Sequence, residues 1–280
     1  MENDTFRKLF GEENPFEGLF GKSFDKGSSR MPDTSNLDPR GAALLVTFTT
    51  EIARGDRSYL ERAVIIYKQE VYERENNLSL LEAHAKAALF VENLPLCCES
   101  LRKIKNPSIG QSQAIGLVDY NQGNFGLAIK SFYPVKKDLS IPARIAYSFS
   151  LLEIGCQEVK MHEEILEPSL KKASVANSIL GCLAFNASDY EFAERCLRAA
   201  VELDPSSERK RLDLMRVMDI NGKIQEVYAQ MNSFYIDTSS KLTPEQIIEQ
   251  IKERKLSVSR APIKNLFRVV DSLLCQDTEY

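Results

Sequence analysis

The sequence predicts an all-α protein, an α-solenoid of stacked antiparallel helix pairs, and three observations lead there. From Ala42 onward apolar residues return every three or four positions, the spacing of one helix face. Short turn texts (ARGDRS, NQGN, NASD and INGK) interrupt this pattern roughly every 30 to 35 residues, with a lesser break inside each interval. No run of alternating β-branched residues is long enough for a central strand. A helical hairpin that cannot bury its apolar face alone stacks on the next one, and it repeats at this period.

Residues 1–41 stand apart as a Phe/Gly-containing arm. Glycines alternate with Phe6, Phe10, Phe16, Phe20 and Phe24, and the polar run GSSRMPDTSNLDPR follows. Glycine and polar turn residues oppose one long helix, which predicts a flexible segment. The i,i+4 spacing of Phe16, Phe20 and Phe24 nevertheless sets three rings on one helical face, a pattern for docking.

Residues 42–236 then divide into roughly six pairs. The best-formed unit is 174–207. Leu180-Gly181 lies in its first helix, and Gly181 removes a side chain where a neighbouring helix must come close. Asn186 to Asp189 makes the turn, and Tyr190, Ala193, Leu197 and Ala200 follow at helical spacing. Asp204-Pro205 closes the unit, because the residue before proline leaves the helical region. The unit 109–141 repeats the plan with Ile115-Gly116, the turn Asn121 to Asn124, then Phe125, Ala128 and Phe132. The pairs at about 44–77, 78–108, 142–173 and 208–236 rest on period alone.

The two best units resemble the tetratricopeptide repeat. That family's pattern of Leu-Gly, Ala, Phe, Ala and Pro is met at Leu180-Gly181, Ala193, Ala200 and Pro205. The unit departs from it at Asn177 and Ala184, where the pattern has bulky aromatics, and at Leu197, where it has Phe. The resemblance implies a right-handed solenoid whose first helices line a groove for a partner. It places Gln113, Leu117, Tyr120 and Asn121 of one unit on that groove, and Ser178, Cys182, Phe185 and Asn186 of the other. Tyr120-Asn121 and Phe185-Asn186 take matching places, where an aromatic beside an amide can hold a peptide and bond to its backbone. The family's Lys/Asn clamp for acidic chaperone tails has no counterpart at these neutral positions.

Residues 237–280 read as capping helices. Thr243 caps a helix with Pro244 in its first turn, and Pro262 is expected to open a last amphipathic helix carrying Ile263, Leu266, Phe267, Val270, Leu273 and Leu274. Lys252, Arg254, Lys255, Arg260 and Lys264 read as a solvated basic stretch.

Chemistry is sparse. The chain has no GxGxxG, Walker, HExxH or GxSxG text, and only His84 and His162 among histidines. The six cysteines form no CxxC pair and read as small core residues. No catalytic residue, cofactor or metal is expected. A formal charge of -4, from 36 Lys and Arg against 40 Asp and Glu, argues against nucleic acid. The expected partners are therefore proteins, probed through the groove, with the chain acting as a cytoplasmic adaptor or scaffold subunit. The alternative expectation is a chaperone-like regulator that holds a client transiently.

Overall fold

A computed structural model describes residues 37–238, 243–258, 260, 263 and 265–276. The phenylalanines at 16, 20 and 24 lie outside the described residues. Among those described the chain is all-helical, and no helix is long and apolar enough to cross a membrane.

Local chemistry sets the helix limits. The first helix, α1 (Pro39–Arg54), starts three residues before the limit read from sequence. The Asp38 carboxylate accepts the Gly41 N–H at 2.6 Å, and Pro39 supplies a first-turn residue whose missing N–H leaves nothing unpaired. It ends at Gly55, whose φ of 72° is left-handed and suits glycine. Next come α2 (Arg57–Ile66), α3 (Lys68–Tyr72), α4 (Leu78–Phe90), α5 (Leu94–Arg102), α6 (Ile109–Gln122) and α7 (Phe125–Phe132). A further seven follow: α8 (Ile141–Glu153), α9 (Val159–Leu166), α10 (Ser174–Asn186), α11 (Tyr190–Leu203), α12 (Glu208–Ile220), α13 (Ile224–Thr238) and α14 (Pro244–Glu253). The capping box of α14 is complete, with Thr243 and Gln246 each bonding the other's backbone N–H.

The chain forms two compact units. Unit 1 holds the described residues through Asp138 together with those from Ile263 onward. Within it α4 packs on α5, α6 on α7, α1 on α4, and α5 on α6. The last helix, α15 (Leu266–Gln276), belongs to unit 1 and packs on α6. Unit 2 runs from Leu139 to residue 262, with α8 packed on α9, α10 on α11, α11 on α12, and α12 on both α13 and α14.

The expected opening of the last helix at Pro262 is corrected. Helix α15 begins at Leu266, because Asn265 takes a φ of 56°, a left-handed conformation that asparagine tolerates and a helix does not. Ile263 therefore precedes the helix. Its apolar stripe survives, with Leu266, Val270, Leu273 and Leu274 all buried.

Candidate peptide-holding faces of the first helices

The geometry of the two best hairpins explains their glycines. A Cβ on Gly116 of α6 would stand 2.5 Å from Cε1 of Phe132 on α7. A Cβ on Gly181 of α10 would stand 2.6 Å from Cγ of Leu197 on α11. Glycine is thus required for the close approach, and each large residue fills the space its partner vacates. The hairpins also share an aromatic contact: Tyr120 meets Phe125 with ring centroids 6.2 Å apart, and Phe185 meets Tyr190 edge-on at 5.5 Å.

The predicted groove residues of α6 are not open. From Gly110 to Tyr120 every residue of α6 is buried. Leu117 and Tyr120 are core residues, and the Gln113 amide donates to the Asp138 carbonyl at 3.3 Å. The reason is that α6 is packed by α5, α7 and α15 within the same unit. Asn121 lies at the edge, and its Oδ1 accepts the backbone N–H of Ile263 at 3.2 Å. A side-chain amide here holds a peptide backbone, and the peptide is the chain's own.

In unit 2 the corresponding residues are less enclosed. The Ser178 hydroxyl donates to the Ser174 carbonyl of its own helix at 3.1 Å, Phe185 is half-buried, and Asn186 is exposed. Cys182 is 3% exposed and sits in an apolar cluster with Leu212, Met215, Ile247, Ile251 and Leu256. Burial, with Asp213 adding to it, pushes its thiol up to about 12, so it stays protonated and inert. Burial acts the same way on Cys98, also pushed up to about 12, and on Cys196, to about 11.

Around Cys182 the structure brings together residues that sequence reasoning missed. Asp213 of α12 has a side chain only 5% exposed, and Arg254 Nε donates to its Oδ1 at 2.6 Å. Burial raises the Asp213 pKa and the Arg254 bond opposes this. Arg254 also donates to the Arg209 carbonyl at 3.2 Å, while the Arg209 guanidinium donates to the Ser257 carbonyl and, at 3.2 Å, to its hydroxyl. One signal was legible: Asp213 stands between Leu212 and Leu214, on the buried stretch of its helix. A carboxylate there needs a cation, and Arg254 supplies it from a basic stretch whose sequence alone predicts a solvated face.

The two histidines are core groups. His84 Nε2 donates to the Val64 carbonyl at 2.8 Å, and Nδ1 lies 2.8 Å from the Ser100 hydroxyl. His162 is held alike, by the Cys156 carbonyl at 3.0 Å and the Ser148 hydroxyl at 2.7 Å. A carbonyl only accepts, so each ring carries its proton on Nε2. Burial lowers both pKa values, keeping the rings neutral. Both serines are fully buried, so these Ser–His contacts present nothing to a substrate. Among the described residues no group of three or more His, Cys, Asp or Glu could hold a metal ion.

No protein-family model matches this chain, and the comparison with curated proteins finds no significant relative.

Proposed function

We propose that this protein is a non-enzymatic adaptor or scaffold subunit, a tetratricopeptide-like right-handed solenoid that holds partner polypeptides on the faces of its first helices, in the cytoplasm. What supports the solenoid reading is the recurrence of one hairpin design, Gly116 against Phe132 and Gly181 against Leu197, in two different units. The observation that carries the binding reading is that a first helix in each unit stands where another stretch of the chain is seated. In unit 1 that stretch is the helix α15 with Ile263, and in unit 2 it is the residues following α14. Surfaces that seat polypeptide within the chain have the chemistry to seat polypeptide from another one: apolar walls for side chains and fixed polar groups for backbone.

The test is gentle affinity purification of the full-length protein, with co-purifying proteins quantified by mass spectrometry. Stoichiometric partners that survive about 0.5 M salt are expected for a scaffold subunit with apolar contacts. Substoichiometric, salt-labile partners beside a well-behaved free pool would replace this reading with that of a transient, chaperone-like holder. Recovery of the protein alone under all conditions would remove both.

A further inference from the structure

We infer that the α10–α12 face of unit 2 is a binding site for an extended peptide bearing a basic residue followed, two and four positions on, by aliphatic residues, and that Arg254–Val258 is the chain's own occupant of that site. This rests on the adaptor reading and narrows it to one face and one ligand chemistry.

The argument begins with the backbone. Arg254 has φ -67° and ψ 121°, extended geometry, and residues 254–258 are neither helix nor turn. In an extended chain alternate side chains point to opposite sides. Burial follows that alternation: Arg254 is half-buried, Lys255 exposed, Leu256 buried, Ser257 exposed and Val258 half-buried. Arg254, Leu256 and Val258 are therefore wholly or partly buried against the unit, and Lys255 is exposed. The exposed Ser257 still accepts from Arg209 at its hydroxyl, so the pattern is close to that of a peptide read through pockets for alternate residues.

Each inward residue meets matched chemistry. Arg254 finds the buried Asp213 carboxylate and the Arg209 carbonyl. Leu256, 4% exposed, enters the apolar cluster that contains Cys182, Leu212 and Met215. Val258 packs against that cluster and also against the one formed by Ala176, Ile179 and Leu183. The backbone is held as well, by the Arg209 guanidinium on the Ser257 carbonyl. Arg209 Nε stands 3.9 Å from the other Asp213 oxygen, and a second cation that hydrogen-bonds this desolvated carboxylate directly is favoured over a neutral or anionic residue. Aliphatic pockets two and four residues on add length and register. A partner peptide with this spacing competes with Arg254–Val258, which its tether to α14 keeps at high local concentration.

The experiment uses the full-length protein and a fluorescein-labelled peptide with the sequence of residues 252–260, read by anisotropy. The double variant Arg254→Ser, Leu256→Ser should bind the probe about tenfold or more tightly than the wild type, whose site is filled from within. Adding Asp213→Asn should remove that gain, and a probe carrying Arg254→Glu should not bind. A double variant with wild-type helical circular dichroism that ignores the probe overturns the inference. Hydrogen exchange on the wild type covers the case in which the variant fails to fold. Amides of residues 254–258 should then exchange ahead of those of α10 and α12, and exchange of all three in one step overturns the inference equally. Partner capture that persists in a folded double variant blind to the probe leaves the adaptor reading standing alone. Probe uptake with no captured partner has the reverse meaning.

Discussion

The α6–α7 hairpin of unit 1 and the α10–α11 hairpin of unit 2 share a framework and differ in what lies on it. Both pair a glycine with a large residue across the helix contact, and both set an aromatic against the first residue of the second helix. Yet α6 is packed by the helix α15, whereas Cys182 of α10 shares its cluster with Leu256 of an extended segment that Asp213 holds at Arg254 and Arg209 holds at Ser257. The small-against-large contact is thus common to both hairpins, and the surroundings differ. Each unit has a buried carboxylate, but Asp119 of α6 is paired with Arg102 inside the helical packing, while Asp213 of the neighbouring α12 is paired with Arg254 of the extended segment.

The framework half of this comparison is tested hardest at the glycines. Alanine gains about 1 kcal/mol of helix propensity over glycine, and overpacking a core costs about 1–3 kcal/mol. At Gly116 the new methyl meets three carbons of a fully buried, stiff ring within 2.8 Å, so overpacking wins. We expect Gly116→Val to destabilise α6–α7 by about 3 kcal/mol and Gly116→Ala by about 2, read by hydrogen exchange of that hairpin. Gly181→Ala should cost about 1 kcal/mol, because Leu197 has rotamers with which to yield. Adding Phe132→Leu to Gly116→Ala copies the unit 2 pair into unit 1 and should recover at least half the loss. Equal losses at both glycines without recovery would show that ring stiffness is not the cause.

Next in size is an acid response specific to unit 2. Glu194 of α11 is buried and accepts from Lys223 at 2.8 Å, Asn221 at 2.7 Å and Arg198 at 2.7 Å. Burial raises its pKa, but these three bonds outweigh burial and hold it at about 2, against an ordinary 4.5. Because the folded value is depressed, the unfolded chain binds more protons between the two values. The stabilisation is complete above pH 4.5 and is lost as pH falls toward 2. Glu194→Gln should cost about 2 kcal/mol near neutral pH and flatten this limb in unit 2 alone, measured by exchange across a pH series.

A milder response comes from the histidines, one per unit. Both folded pKa values lie below the ordinary 6.5, so stability falls as pH drops below 6.5 and the unfolded rings take up protons. His84→Gln should remove this dependence from unit 1 and leave it in unit 2. An unchanged slope in unit 1 would place the titrating group elsewhere.

How much of this was legible in the sequence follows from where each signal lives. Hairpin positions were readable because their determinants are local: Leu180-Gly181, the Asp189 cap, and Thr243 before Pro244 act within a few residues. The start of α1 was misread by three residues because a run of polar turn formers masks the cap at Asp38. The seat of α15 was not readable, since its stripe of Leu266, Val270, Leu273 and Leu274 states only that the helix needs a surface. Nor was the role of Arg254, which looks like its solvated neighbours until Asp213 is placed beside it in space. The groove assignments carried over from the resemblance treat α6 as open, whereas its residues from Gly110 to Tyr120 are buried.

The smallest effect concerns the two matching asparagines. Asn121 accepts the Ile263 N–H, whereas Asn186 is exposed at the end of α10. Ile263 is half-buried, so water can replace part of the lost bond, and Asn121→Ala should cost about 0.5–1 kcal/mol. That corresponds to roughly two- to fivefold faster exchange in α15, with α10 and α11 unchanged. Asn186→Ala should alter neither unit by more than about 0.5 kcal/mol. If Asn121→Ala leaves α15 untouched, the helix is held by its apolar stripe alone, and the asparagine is an ornament of the turn. If α15 loosens as expected, the same side chain that ends a helix in one hairpin anchors a peptide in the other, and the distinction lies wholly in whether a backbone N–H has been brought within its reach.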